Sequence, residues 1–267
     1  MPNQILDLMR IYMKNIFWKI FLALLLLVHP TPTQTPAPTP GNFPKFAVFS
    51  DIHSDTANLA KALKITKDDE MEFIIITGDL TTIGKKEELL KIKKNLDEST
   101  IKYYVIPGNH DLWFGRQIHQ NVFREVFGQE YQSFNIDNTK FILLNNGDDY
   151  QGIGEQQGLW LDDQLRDCPK IICLVFMHEP LNHPYSTHLM GESELKVASQ
   201  AAELATSLVK NQVKEVFAGH LHSANEYQIN DLKTTIVGSL STNRNPQEPR
   251  FLEVLGTDQQ KEIVISD

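Results

Sequence analysis

The stretch Gly108-Asn109-His110-Asp111 sets an amide oxygen, an imidazole and a carboxylate side by side, directly after Ile101-Lys-Tyr-Tyr-Val-Ile-Pro107. That preceding run, β-branched and aromatic and closed by a proline, reads as a strand giving way to a loop. Asn can offer its carbonyl oxygen to a metal, His can carry a proton at neutral pH, and Asp can hold that His in one tautomer. Polar groups at the end of a buried strand are costly unless partnered. Four further stretches repeat the pattern. Phe46–Ser50 runs into Asp51-Ile52-His53, Phe73–Thr77 into Gly78-Asp79, Ile171–Met177 into His178, and Val216–Gly219 into His220-Leu221-His222. Five of the nine histidines fall in these stretches, so the signal lies in the repetition. In open α/β sheets, active sites form at the carboxyl ends of strands.

Together Asp51, His53, Asp79, Asn109, His178, His220 and His222 supply two carboxylates, four imidazoles and one amide. One metal takes about three or four protein ligands. Seven therefore suit two metals if one carboxylate bridges them, and Asp79, at the end of a central strand, is the natural bridge. Mixed nitrogen and oxygen ligation without thiolate suits Zn, Fe, Mn or Co better than an oxygen-only Mg or Ca cage. Two such ions would clamp an in-line displacement at phosphorus and activate a bound hydroxide as the nucleophile. His110 stands outside the ligand set. It is available to donate to a phosphoryl oxygen or to protonate the leaving alkoxide, with Asp111 expected to orient and charge it.

The spacing of apolar residues predicts the elements that must position these groups. Leu59, Leu63 and Ile65 give a helix over Thr56–Thr66, and Leu89, Ile92 and Leu96 give an amphipathic helix over Lys85–Leu96. With strands at Phe46, Phe73 and Tyr103 this is β-α-β-α-β, which implies parallel strands and crossover helices. A further helix is expected over Gln117–Phe127, stopped by Gly128. A hairpin is expected around Asp137-Asn138, and helices over Gln156–Leu165 and Glu192–Val209. Strands at Ile171, Val216, Glu226–Ile229, Thr234–Val237 and Phe251–Leu255 complete the chain.

The ordered set Asp51-x-His53, Gly78-Asp79, Gly108-Asn109-His110-Asp111, His178 and Gly219-His220-x-His222 resembles the calcineurin-like metallophosphoesterase superfamily. Phe127-Gly128, Tyr131-x-Ser-Phe134, Phe141-Ile-Leu-Leu144 and Gln156-Gln-x-Leu-Trp-Leu161 are similar to the branch that holds class III cyclic-nucleotide phosphodiesterases and glycerophosphodiesterases. The resemblance covers essentially the whole body of the chain. It implies an α/β fold, a four-layer α/β/β/α sandwich with a dimetal site at the carboxyl ends of the strands. It also implies one metal on Asp51, His53, Asp79 and His222, and another on Asp79, Asn109, His178 and His220. His110 and Asp111 match the proton-donating pair. Purple acid phosphatases match less well, because Leu80-Thr-Thr82 follows Asp79 where they carry a tyrosine ligand. Glu179 is a departure, standing where many relatives carry His or a small residue; it bears on substrate preference rather than metal binding.

Ahead of the body, Arg10, Lys14 and Lys19 precede the apolar run Ile20–Val28, which reads as an export segment over residues 1–29, either a cleaved signal peptide or a retained membrane anchor. Prolines at 30, 32, 36, 38, 40 and 44 then predict an extended spacer over 30–44, leaving 45–267 as one catalytic domain. The expected location is extracytoplasmic, membrane-anchored or secreted. Net charge is −9, with +2 on residues 1–40 and −11 on the rest. Such an acidic body argues against duplex nucleic acid; the partner expected from the ligand set is a small phosphate-ester substrate. Cys168 and Cys173, five apart, are expected to stay unpaired, with Cys173 a core residue. His119, His183 and His188 are assigned surface or helix roles, with His183 the best of them as a rim residue. Arg116 and Arg244 are candidate phosphate grips. The leading function is an exported dimetal phosphoesterase. A metal-bearing binding or sensing protein without catalysis and a single-strand nuclease are the alternatives.

Overall fold

The computed structural model describes residues 43–266. The expected export segment (1–29) and the spacer up to residue 42 lie outside the described residues. Among the described residues, no helix is long and apolar enough to cross a membrane.

The first half is the expected β-α-β-α-β unit: β1 (Phe46–Phe49), α1 (Thr56–Asp68), β2 (Phe73–Ile76), α2 (Lys86–Ser99) and β3 (Lys102–Val105). β1 pairs with β2 and β2 with β3, both in parallel register. Asp55 caps α1 by accepting the Asn58 N–H at 3.1 Å, and the Glu88 carboxylate reaches back to the Lys85 N–H at 3.1 Å to start α2. β10 (Arg250–Gly256) and β11 (Gln259–Val264) add antiparallel strands, giving the order β11-β10-β1-β2-β3. The second sheet runs β4-β5-β6-β7-β9-β8. Its members are β4 (Gln132–Ile136), β5 (Thr139–Leu143), β6 (Ile172–Phe176), β7 (Glu215–Ala218), β8 (Asn225–Ile229) and β9 (Leu232–Ile236). α5 (Glu155–Leu165) precedes β6 and α6 (Leu195–Lys210) precedes β7.

Strand alternation sorts the core into layers. Phe46, Val48, Phe73 and Ile75 point from the first sheet to the second, where they meet Phe141, Leu143, Phe176 and Phe217. The rings of Phe46 and Phe73 stack at 5.3 Å, and those of Phe176 and Phe217 at 5.0 Å. The intervening residues Ala47, Phe49, Ile74 and Ile76 face outward onto α1, α2 and the short helix α4 (Val122–Phe127). On the other side Ile142, Val175 and Val216 face α5 and α6. The result is a four-layer α/β/β/α sandwich. Strands buried on both faces are why the parallel strands read as unbroken apolar runs.

Three expectations need correction. The helix expected over Gln117–Phe127 is two helices, α3 (Asn109–Ile118) and α4. His119, in the left-handed conformation at φ 53°, ends the first, and Asn121 caps the second. Asn109, His110 and Asp111 therefore form the first turn of a helix rather than a loop. The closing strand β11 is an addition, because only Ile263 among Gln259–Val264 is buried and the segment shows little apolar pattern. Finally, Cys168 and Cys173 form a disulfide with Cα atoms 5.3 Å apart. The turn after α5, with Cys168 N–H donating to Leu165 O at 3.1 Å, swings the chain straight back onto β6 and brings the two into bridging range.

Candidate dimetal site

All seven ligand candidates follow directly on the carboxyl ends of strands, and the two sheets contribute jointly. Asp51 and His53 follow β1, Asp79 follows β2 and Asn109 follows β3; His178 follows β6, and His220 and His222 follow β7. Five of these seven hold left-handed backbone: Asp51 (φ 51°), His53 (45°), Asp79 (51°), His220 (69°) and His222 (54°). Each such residue costs about 1–3 kcal/mol and persists only where its surroundings over-determine it. Here they do. Asp51 N–H donates to Gly78 O at 3.1 Å, His53 N–H to Asp79 O at 3.0 Å, and Ser241 N–H to Asp51 O at 3.1 Å. His220 N–H donates to the Asp51 carboxylate at 3.0 Å. Gly108 lies so close to Asp79 that a Cβ there would sit 2.1 Å from Oδ1.

The ligand atoms fall into two groups that share Asp79. In the first, Asp51, His53, Asp79 and His222 have ligand atoms within 4.8 Å of one another; in the second, Asp79, His178 and His220 do. Asn109 joins the second group, its Oδ1 lying 3.1 Å from His178 Nε2. The structure thus brings all seven candidates together in two groups.

The chemistry of the donor set fits a cation at each position. His178 Nδ1 lies 2.9 Å from Thr77 O, and His222 Nδ1 lies 2.9 Å from Arg244 O. A carbonyl only accepts, so both Nδ1 atoms carry the proton, and both Nε2 lone pairs face the site. His178 Nε2 there meets Asn109 Oδ1, Asp79 Oδ1 at 3.4 Å and His220 Nδ1 at 3.2 Å. His222 Nε2 likewise meets His53 Nε2 at 3.0 Å and Asp51 Oδ1 at 3.3 Å. Lone pairs converging in a buried space repel unless a positive charge lies among them. Burial opposes a charge on His178, yet the Asp79 carboxylate carries its pKa up to about 10. Burial opposes a charge on Asp79 too, but His178 and His53 hold its pKa well below the usual carboxylate range.

His110 belongs to neither group. Its Nδ1 donates to Thr82 O at 2.6 Å, and its ring stands edge-on to His53 at 4.8 Å and Trp113 at 5.6 Å. Its backbone N–H donates to Asp79 Oδ1 at 2.9 Å, which fixes the bridge candidate from below. The structure corrects the expected role of Asp111. That carboxylate is buried and accepts from Leu80 N–H (3.0 Å), Thr81 N–H (2.9 Å), Thr81 Oγ1 (2.7 Å) and Gly108 N–H (3.0 Å), not from the His110 ring. The α3 helix turns Asp111 inward while His110 points out, so Asp111 ties the loop after Asp79 to the loop before Asn109. Burial pushes its pKa up to about 6, against those hydrogen bonds.

A cavity of about 720 Å³ opens over the two groups, lined by Asp79, Asn109, His110, His188, His220 and Arg244 among others. His188 and Arg244 are thus rim residues, while His183 is not: its Nδ1 accepts the Ser186 N–H at 2.8 Å and so folds its own loop. Arg116 is taken up by Asp148 and Asp149, at 3.5 and 3.0 Å, away from a phosphate-gripping role. Glu179, the departure noted beside His178, is buried, and burial pushes its carboxyl up to about 8. No sequence spacing marked His188, because its loop has no periodic element.

The model of the calcineurin-like phosphoesterases matches residues 44–224. The chain belongs to that family. Among curated metallophosphoesterases it is 30% identical over 186 residues to a probable glycerophosphodiester phosphodiesterase, GpdQ, of Arcobacter nitrofigilis, covering 64% of each protein. It is 28% identical over 176 residues to a 3',5'-cyclic-nucleotide phosphodiesterase of Nostoc, covering 65% of this chain and 63% of the relative. The chain thus spans less than two thirds of the length of these relatives. Solved structures share the fold at low identity. A Thermus thermophilus protein, TT1561, superposes with a TM-score of 0.56 at 14% identity, covering 83% of this chain and 98% of its own. A purple acid phosphatase from yellow lupin, Lupinus luteus, gives 0.57 at 14%, covering 80% and 50%. The two-sheet metallophosphoesterase sandwich is therefore the fold of this chain.

Proposed function

We propose that the chain is an exported, dimetal-dependent phosphodiesterase acting on small phosphate esters, with His110 as the proton donor. The observation that carries this is the pair of ligand groups sharing Asp79. Asp51, His53, Asp79 and His222 would hold one transition metal ion, and Asp79, Asn109, His178 and His220 the other, drawn from Mn, Fe, Zn or Co. When bound, the ions supply Lewis-acid polarisation of the phosphoryl group and activation of water at neutral pH. The protein does the rest. Thr77 O and Arg244 O hold His178 and His222 in the tautomer that turns Nε2 inward. Thr82 O accepts a hydrogen bond from the Nδ1–H of His110, which leaves Nε2 as the atom that protonates the departing alkoxide. The phosphodiesterase names of the relatives in Arcobacter and Nostoc favour a diester over a monoester. Export is supported by the basic residues ahead of the Ile20–Val28 run and by the Cys168–Cys173 disulfide, a bond that persists in oxidising compartments. The acidic body makes duplex nucleic acid a poor partner, and a retained anchor would hold the domain at a membrane.

The test is a panel of bis(p-nitrophenyl) phosphate, p-nitrophenyl phosphate and cyclic nucleotides, run on chelator-treated protein before and after each metal is restored. No turnover without metal, recovery with it, and faster diester than monoester hydrolysis are expected. Undiminished turnover after exhaustive chelation would sink the reading.

A further inference from the structure

The loop between β6 and α6 is fixed at several points. Met190 N–H donates to Pro180 O at 3.0 Å, and His183 Nε2 lies 3.2 Å from Asn225 Oδ1. Gly191 packs so tightly on α6 that an added Cβ would fall 2.2 Å from Ala198 N. This loop carries His188 over the site. The His188 ring stacks on that of His220, with centroids 4.0 Å apart and planes at 21°. On its other edge His188 Nδ1 is hydrogen-bonded to the Glu192 carboxylate. That bond commits Nδ1 as the donor and leaves Nε2 for whatever enters the cavity that His188 lines.

His188 and His110 stand at different metal positions. His110 is edge-on to His53, in the group of Asp51 and His222; His188 covers His220, in the group of His178 and Asn109. A phosphomonoester has one carbon-bearing arm and a diester has two. If one arm departs past His110, the retained arm of a diester must lie along another wall of the cavity.

We propose that His188, positioned by Glu192, is that wall: a specificity-determining residue that contacts the retained ester arm and favours diesters over monoesters. This rests on the phosphodiesterase reading above and adds to it the residue that selects the substrate class. Contact between the His188 ring and one substrate arm is a ground-state interaction, so its loss falls mainly on KM.

The experiment compares manganese-loaded wild type, His188→Ala, Glu192→Gln and Glu192→Ala on bis(p-nitrophenyl) phosphate and p-nitrophenyl phosphate. His188→Ala should lower the diester-to-monoester ratio of kcat/KM by about tenfold, the scale of one lost ring-to-ring contact, through a raised diester KM. Elemental analysis should still find wild-type manganese. Glu192→Gln, which can still accept from Nδ1–H, should keep most of the ratio, and Glu192→Ala should lose it. An unchanged ratio, an equal loss on both esters, or loss of metal from His188→Ala would overturn the proposal. Wild type that binds manganese but hydrolyses neither ester defeats the phosphodiesterase reading by itself. In that case calorimetric titration with the two esters reads the wall: a diester preference that vanishes in His188→Ala supports it, and no such preference overturns it.

Discussion

Asp51, Asp79 and His178 lie on the floor of the site, buried, on backbone that hydrogen bonds pin from several directions. His110, His188 and Arg244 stand around the rim, the first half-buried and the other two exposed, each placed by its loop or by a few side-chain contacts. The floor accepts strain: five left-handed residues sit where a ligand atom must be aimed. The rim carries less of it, with Arg244 alone at φ 59° among those three. A metal position tolerates little error in ligand geometry, so the floor is over-determined, whereas a substrate's arms vary and the rim can vary with them. The floor should therefore govern whether the site works at all, and the rim how fast and on what.

Three substitutions probe that division. Asp79→Ala removes the shared carboxylate and should have the largest effect. Both metals should be lost by elemental analysis, and turnover should fall by roughly three orders of magnitude, since metals contribute several kcal/mol and about 1.4 kcal/mol is tenfold. Two metals per chain in that variant would mean that Asp79 is not the bridge. His110→Ala, on the rim, should keep both metals and lose about 10²–10⁴-fold on a substrate with a poor leaving group. The loss should shrink for p-nitrophenolate, which departs without a proton. An equal loss on both would leave His110 only a binding role. Asp111→Asn sharpens the contrast within one helical turn. It puts an amide where three backbone N–H groups and a hydroxyl converge. Lower thermal stability and metal occupancy are expected, rather than a mild copy of the His110 pattern; full occupancy with a His110-like leaving-group dependence would restore the orienting role.

The smallest effect lies outside the site and concerns pH. Burial, helped by Asp69, pushes the Glu253 carboxyl from its ordinary 4.5 up to about 7. The folded chain therefore holds this proton over a window in which the unfolded chain has released it. Its contribution to stability is full below pH 4.5, falls as pH rises, and levels off above about 7. Glu253→Gln should flatten the decline in melting temperature between pH 5 and 8. If the slope is unchanged, another group is responsible.

The floor was legible in the sequence because every ligand candidate but Asn109 follows a buried strand, and a strand buried on both faces announces itself as an apolar run. The parallel strands and crossover helices followed from the same runs, and the four layers from the family resemblance. The rest rested on contacts that no local pattern encodes. Asn109–Asp111 start a helix because Gly108 and the Asp111 carboxylate cap it, and a four-residue strand ending at Val105 gave no sign of that. Asp111 faces Thr81 rather than the His110 ring because the first turn of α3 sets neighbouring side chains about 100° apart and turns Asp111 inward. His188 reaches the site through a loop anchored on Pro180 and Asn225, contacts distant in sequence and without periodicity. The disulfide depended on how sharply one turn reverses, which composition does not state.

Because each ligand group draws on both sheets, with His222 from the second completing Asp51, His53 and Asp79 from the first, a bound metal would bridge the two halves of the sandwich. Folding and metal loading are then linked by mass action. A ligand present at a hundred times its Kd adds about 2.7 kcal/mol to the folded state, a large share of the ~5–15 kcal/mol that holds a typical domain together. The supply of metal where the chain works would therefore set how long the sandwich survives as well as how fast it turns over.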